Sequence, residues 1–244
     1  MEEKLFFLIK FTQEKYIKDL QEGKLYCKNL NYYRNLEEQY NDRDMGDKNE
    51  GKFLLNDVKL EVYRNKDTKH ILTISSNIST FDRCDVKKKP VFCMTGIKKS
   101  DIKDFYDKEK GGYIVKFSEL LKEMIGKSYW EAAVLITNFP KFCEKLYEKC
   151  KKDSINIKME PVKYTDMKIN YIDRINDFVK DNSNTVFYKD NYYKGQYEYR
   201  IVIDNMQVDD YYQLDIGDMS DIIKVFRKKE LLEFLNTEYL IKVE

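Results

Sequence analysis

Polar side chains recur at alternate positions in Gln196-Tyr197-Glu198-Tyr199-Arg200, and this is the stretch of the chain best suited to chemistry. Strand alternation would put Gln196, Glu198 and Arg200 on one face and Tyr197, Tyr199, Ile201 and Ile203 on the other. Two readings follow. In one, the polar face is solvated and a Glu198–Arg200 pair contributes little. In the other, that face lines a cleft and Glu198 is its working carboxylate. Other titratable groups offer less. The loop with Asp42, Asp44, Asp47 and Glu50 could hold a hard cation through oxygen ligands, but it lacks EF-hand spacing and carries Arg43 and Lys48. It therefore reads as a solvated turn without metal. Lys87-Lys88-Lys89, ahead of Pro90, could meet phosphate and reads as an exposed loop. His70 lies among polar residues, a poor setting for a general base. Cys93, between Phe92 and Met94, reads as a core cysteine.

These residues need elements to position them. Leu5 to Phe11 reads as a buried strand, with Thr12 capping a helix over 13–22 and Gly23 ending it. Further strands are expected over 24–27, 53–63, 70–78, 91–95, 113–117, 132–137, 155–164, 196–203, 211–216 and 239–243. Helices are expected over 29–36, 118–126 (Leu120, Leu121, Met124 and Ile125 inward), 139–150, 171–179 and 228–236. Asn41 to Gly51 reads as a loop. The irregular alternation with hairpin-like neighbours predicts an α+β fold, a mixed, largely antiparallel sheet with flanking helices, in a single domain over 1–244.

Composition narrows the class. The chain has 244 residues, 42% of them apolar and 36% charged, with a formal net charge of +1. A uniformly basic nucleic-acid binder is not indicated, although a local basic patch fits. Five cysteines at irregular spacing and a single histidine argue against a zinc site and suit free thiols in a reducing cytoplasm. No apolar stretch is long enough to span a bilayer, and no secretory leader opens the chain, so a cytoplasmic protein without a membrane partner is expected. The oligomeric state is left open.

Gln196-x-Glu198 at the start of a strand resembles the catalytic turn of mono-ADP-ribosyltransferases. Leu8-Ile9-Lys10-Phe11-Thr12, followed by a helix and Gly23-Lys24-Leu25-Tyr26, is similar to the opening unit of the same enzymes. The resemblance implies NAD as cofactor, with Glu198 stabilising the oxocarbenium-like sugar as its glycosidic C–N bond breaks and Gln196 orienting an acceptor. Where that family carries Arg or His on its first strand, this chain has Lys10 and Thr12. Lys10 or Arg200 would then meet the pyrophosphate. Ser75-Ser76 and Ser79-Thr80 are partial counterparts of the family's Ser-Thr-Ser motif. Over a longer span, Gly46-Asp47-Lys48-Asn49-Glu50-Gly51, Val162-Lys163-Tyr164, Gln196 to Arg200, and Ile216 to Ile222 resemble a set of phage and prophage proteins. That likeness implies a setting in phage–host conflict, with a host protein or nucleic acid as partner. The rival expectations are a non-catalytic phage-encoded inhibitor of a host defence protein or nucleoprotein complex, and a nucleotide-sensing module without chemistry.

Overall fold

A computed structural model describes residues 5–44, 46–65, 68–127 and 130–242, with the side chains of Phe6, Leu120, Met124 and Lys127 left aside. The expected inward positions Leu120 and Met124, and Val243 of the last strand, fall outside what is described. In chain order the elements are β1 (Leu5–Thr12), α1 (Ile17–Gln21), β2 (Lys24–Asn29), α2 (Leu30–Tyr40), β3 (Phe53–Tyr63), β4 (His70–Phe81), α3 (Cys84–Lys87), β5 (Pro90–Lys98), β6 (Ile102–Asp107), β7 (Gly112–Phe117) and α4 (Glu119–Lys127). There follow β8 (Ala132–Ile136), α5 (Phe139–Lys152), β9 (Ile157–Pro161), β10 (Lys163–Thr165), α6 (Ile172–Lys180), β11 (Tyr188–Asp190), β12 (Glu198–Ile203), β13 (Tyr211–Asp215), β14 (Ile223–Arg227), α7 (Lys228–Asn236) and β15 (Tyr239–Ile241). The fold is α+β, and its strand pairs are antiparallel except for the short β10–β11 pair. Among the described residues no helix is long and apolar enough to cross a membrane.

The central sheet forks at β5. One edge of β5 pairs with β12 from Val91 to Thr95, and β12 pairs in turn with β9. The opposite edge serves two strands, β1 at Thr95–Lys98 and β2 at Pro90–Val91. From there one arm runs β1–β8–β14 and the other β2–β13. Residues 92–94 of β5 have neither β1 nor β2 beside them, so the sheet is open at that point.

Both faces of the sheet are covered, which explains the nearly unbroken apolar runs of β5 and β8. On one face α5 lays Phe142, Leu146 and Cys150 against Leu8, Leu25, Cys27, Met94, Ile201 and Ile203. The helix starts where it does because the Asn138 side chain accepts the Lys141 N–H and Pro140 sits in its first turn. On the other face α4 and α7 pack Leu121, Ile125, Leu231 and Leu235 against Ile9, Ile97 and Phe117. A smaller core of Leu30, Val86, Val91, Val186, Phe187 and Val202 lies under α2 and α3.

Several expectations change. Thr12 is the last residue of β1 and caps no helix; a 3-10 turn over Glu14–Tyr16 precedes a five-residue α1. The strand expected over 155–164 divides at Val162 into β9 and β10. Gln196 ends a 3-10 helix, and Tyr197, with φ +48, turns the chain into β12, so the strand begins at Glu198. The lysine run is not a free loop: Lys88 pairs with Asp209 at 2.6 Å, and Lys89 is buried, its ammonium 2.7 Å from the Asp204 carboxylate.

Candidate functional site

Two neighbouring features hold the residues singled out above. The first is a groove of about 400 Å³ at the fork of the sheet. Lys10, Phe11 and Thr12 from the end of β1 form one wall, Lys24, Tyr26 and Lys28 of β2 form the other, and Phe92 of β5 is at the floor. Lys10 reaches into the opening, where its ammonium donates to the Cys93 carbonyl at 2.8 Å and lies 4.6 Å from the Phe92 ring centroid. That carbonyl lies in the part of β5 left without a strand at this edge, so a side chain supplies the hydrogen bond that a strand would have made. Burial lowers the pKa of Lys10, while nearby Cys93, Cys27 and Glu198 act in the opposite direction. Tyr32 and Tyr33 of α2 and Trp130 complete the aromatic lining.

The second feature is a closed ring of buried charges. Arg200 donates through Nη1 to Glu50 Oε1 at 2.7 Å and through Nη2 to Glu198 Oε2 at 2.8 Å. The Lys189 ammonium lies 2.9 Å from Glu198 Oε2 and 3.3 Å from Glu50 Oε2. The side chains of Arg200 and Glu50 are 1% exposed, Lys189 7% and Glu198 11%. Two acids and two cations cancel, and cancellation is what lets four charges leave water together. Burial by itself would raise the pKa of Glu198; Arg200 and Lys189 outweigh it and hold the carboxylate well below its usual range. Burial likewise works against charge on Lys189, and Glu198 and Glu50 overcome it.

Distant segments build this ring. The Glu198 N–H donates to the Tyr164 hydroxyl at 2.8 Å, and Gln196 Oε1 accepts from Lys189 at 2.9 Å. Glu50 arrives on the loop after α2, where Arg34 donates to its carbonyl at 2.6 Å and to Asp82 at 2.8 Å. That loop has little freedom: a Cβ on Gly46 would lie 2.2 Å from the Tyr33 carbonyl oxygen, and Gly51 has φ +67 against Leu30. The expected solvated acidic turn is therefore half wrong. Asp42 and Asp44 are exposed, while Asp47 and Glu50 are 5% and 1% exposed. Burial, and then the Glu50 charge, push the Asp47 pKa up to about 6.

The site residues thus fall into two groups. Lys10 and Thr12 share the groove. Glu198 and Gln196 meet at Lys189, and Arg200 joins them through Glu198, although Gln196 gets there from a 3-10 turn and not from the strand. Glu198 also lines a separate hollow of about 110 Å³ with Gly96, Tyr164, Lys194, Tyr197 and Tyr199. Arg200 corrects the expectation of a pyrophosphate contact: its guanidinium is spent on Glu50, Glu198 and the Val186 carbonyl and does not line the groove. The polar face of β12 is likewise not solvated. The Ser75-Ser76 and Ser79-Thr80 segments lie on the outlying β4, which pairs with β3 and not with the central sheet. Sequence reasoning missed Lys189 and Glu50 as partners of Glu198, for no local spacing relates them. The Gly46 to Gly51 segment carries Glu50 into the ring, a role that its sequence does not announce. Cys93 has its thiol pKa raised to about 12 by burial, which suits a packing role. Comparison of the chain with family models, curated proteins and solved structures finds no match.

Proposed function

We propose that this chain is an ADP-ribosyltransferase-like protein of phage–host conflict, with NAD held at the fork and Glu198 as the carboxylate that meets the developing sugar cation. One observation carries the reading. The first strand, with Lys10 and Thr12, and the strand headed by Glu198 flank opposite edges of the same β5, and an aromatic groove opens beside Lys10 and Thr12, between β1 and β2. Glu198 pairs with Thr95, which on its other edge faces Ile9, the neighbour of Lys10. In the reaction, C–N cleavage would leave positive charge on the ribose, and a carboxylate already ionised and fixed by Arg200 and Lys189 costs no reorganisation. Thr12 and Lys10 would hold the dinucleotide by hydrogen bond and charge.

The test is calorimetric titration of NAD into the wild type and into Lys10→Met, together with release of nicotinamide from labelled NAD in host extract. The expected result is saturable binding that weakens about tenfold or more in Lys10→Met, the loss typical of a charged hydrogen bond, with turnover in the wild type. Absence of both binding and turnover removes the reading.

A second reading rests on the charge ring. A carboxylate bonded to two cations and 11% exposed has little left for a substrate. That favours a non-catalytic inhibitor of a host defence protein or nucleoprotein complex. Such a protein forms a stoichiometric complex with its target, unaffected by NAD and by Lys10→Met, and pull-down from host extract measures it.

A further inference from the structure

The outer face of β2 and β13 presents aromatic rings and lysines that the charge ring does not use. Along β2, Lys24, Tyr26 and Lys28 alternate with buried Leu25, Cys27 and Asn29. In β13, Tyr211 stands opposite Lys28 and Gln213 opposite Tyr26. Tyr26 and Tyr211 stack with ring centroids 4.0 Å apart, and Tyr32, at the start of α2, adds a third ring. The Lys28 ammonium lies 4.7 Å from the Tyr32 centroid and 5.5 Å from those of Tyr26 and Tyr211. All three tyrosines remain exposed, at 43%, 45% and 39% for Tyr26, Tyr211 and Tyr32. The surface runs into the groove, which Lys10, Lys24 and Lys28 line together with Asp19.

We propose that this face binds single-stranded nucleic acid, with bases stacking on Tyr26, Tyr32 and Tyr211 and phosphates meeting Lys28 and Lys24. Open aromatic rings interleaved with lysines on adjacent strands form a stacking platform, tolerant of sequence because every base has a π face. A duplex hides its base faces and calls for a broad basic footprint, which a chain of net charge +1 does not offer. Phosphate can reach the lysines without stranding a buried group. Lys28 is paired with Asp210, whose side chain is 65% exposed, and Lys24 with Glu22 and Asp19, 43% and 52% exposed. Exposed pairs of this kind are readily exchanged. The inference does not need NAD, and its test contains none, so the two readings stand or fall separately.

The experiment is fluorescence anisotropy with short labelled oligo-dT and oligo-U at low salt, the two arms separating DNA from RNA as the source of the strand. Saturable binding is expected in at least one arm, with log K falling against log salt at a slope of about −1.4 for two phosphate contacts. Tyr26→Ala and Tyr211→Ala should each weaken binding about tenfold. Asp210→Asn, which releases Lys28, should strengthen it by roughly threefold, a gain that mere structural damage does not produce. Tyr106→Ala serves as control: Tyr106 is 54% exposed and packs edge-on with Tyr113 on the separate β6–β7 pair, and its loss should change nothing. Circular dichroism checks that each variant is folded. No saturable binding in either arm, equal binding by a blunt duplex, or affinity unchanged in folded Tyr26→Ala and Tyr211→Ala overturns the proposal.

Discussion

At the residue scale, Glu198 is as much a structural partner as a candidate for chemistry. Glu198→Gln leaves Arg200 and Lys189 short of a buried counter-charge, and such a loss typically costs about 3–5 kcal/mol. Urea unfolding should show a drop of that size, so a loss of turnover in this variant has to be read beside its stability. The sign of the pH effect follows from the lowered carboxylate pKa. The contribution of Glu198 is present above the unfolded value near ~4.3 and is lost as pH falls below it. Asp47 works in the opposite sense. Its unfolded carboxyl loses a proton near ~3.9, while the folded one keeps it to about 6, so ionisation costs stability as pH rises through that window. Asp47→Asn still offers an oxygen to the Asn49 N–H, which Asp47 now accepts at 2.9 Å. It should stabilise the protein by about 3 kcal/mol at pH 7 and by only roughly 0.5 kcal/mol at pH 4, as melting curves at the two pH values would show. The alternation of Glu198 and Arg200 onto one face was legible from residue spacing. What that face meets was not, because Glu50 lies 150 residues from Arg200 in the chain and no local pattern records such a meeting.

At the element scale, legibility followed the clarity of the boundaries. The α5 helix has an Asn cap, a proline in its first turn and an apolar stripe, and its expected span agrees closely with the observed one. By contrast β14 passes directly into α7, Arg227 ending the strand and capping the helix, so no turn residue announces the change. Edge strand β6 was hidden by its composition, with Phe105 and Tyr106 both more than half exposed among charged neighbours. The β3–β4 hairpin was legible as a pair but not as an outlier of the main sheet. Its pairs Leu60–Ile74 and Val62–Leu72 share one face, and Lys59–Ser75 and Glu61–Thr73 share the other. Leu60 and Ile74 are about half exposed, at 48% and 50%. Two strands without a covering layer are marginal in water. The amides of residues 58–63 and 70–76 should therefore exchange ~100-fold or more faster than those of β5, measurable by hydrogen–deuterium exchange mass spectrometry.

At the scale of the whole molecule, β5 joins both arms of the fork and carries β12 on its other edge, and core packs on both faces of the sheet. An arm that unfolded alone would expose core held in common. A single cooperative thermal transition is therefore expected, with calorimetric and van't Hoff enthalpies in agreement. Two separate transitions would show that the arms are independent units.

The charge ring also bears on how long the native state lasts. Its contact between Glu50 and Arg200 closes a loop of 150 residues, and Lys189 has to arrive from a third segment. Contacts so distant in the chain, and so dependent on dry surroundings, are expected to form after the folding barrier has been crossed. Their loss is then felt almost entirely on the way out. Glu50→Gln should leave the refolding rate nearly unchanged and speed unfolding by ~100-fold, the rate equivalent of about 3 kcal/mol. By that arithmetic the ring is a clasp whose worth is measured in the lifetime of the folded chain.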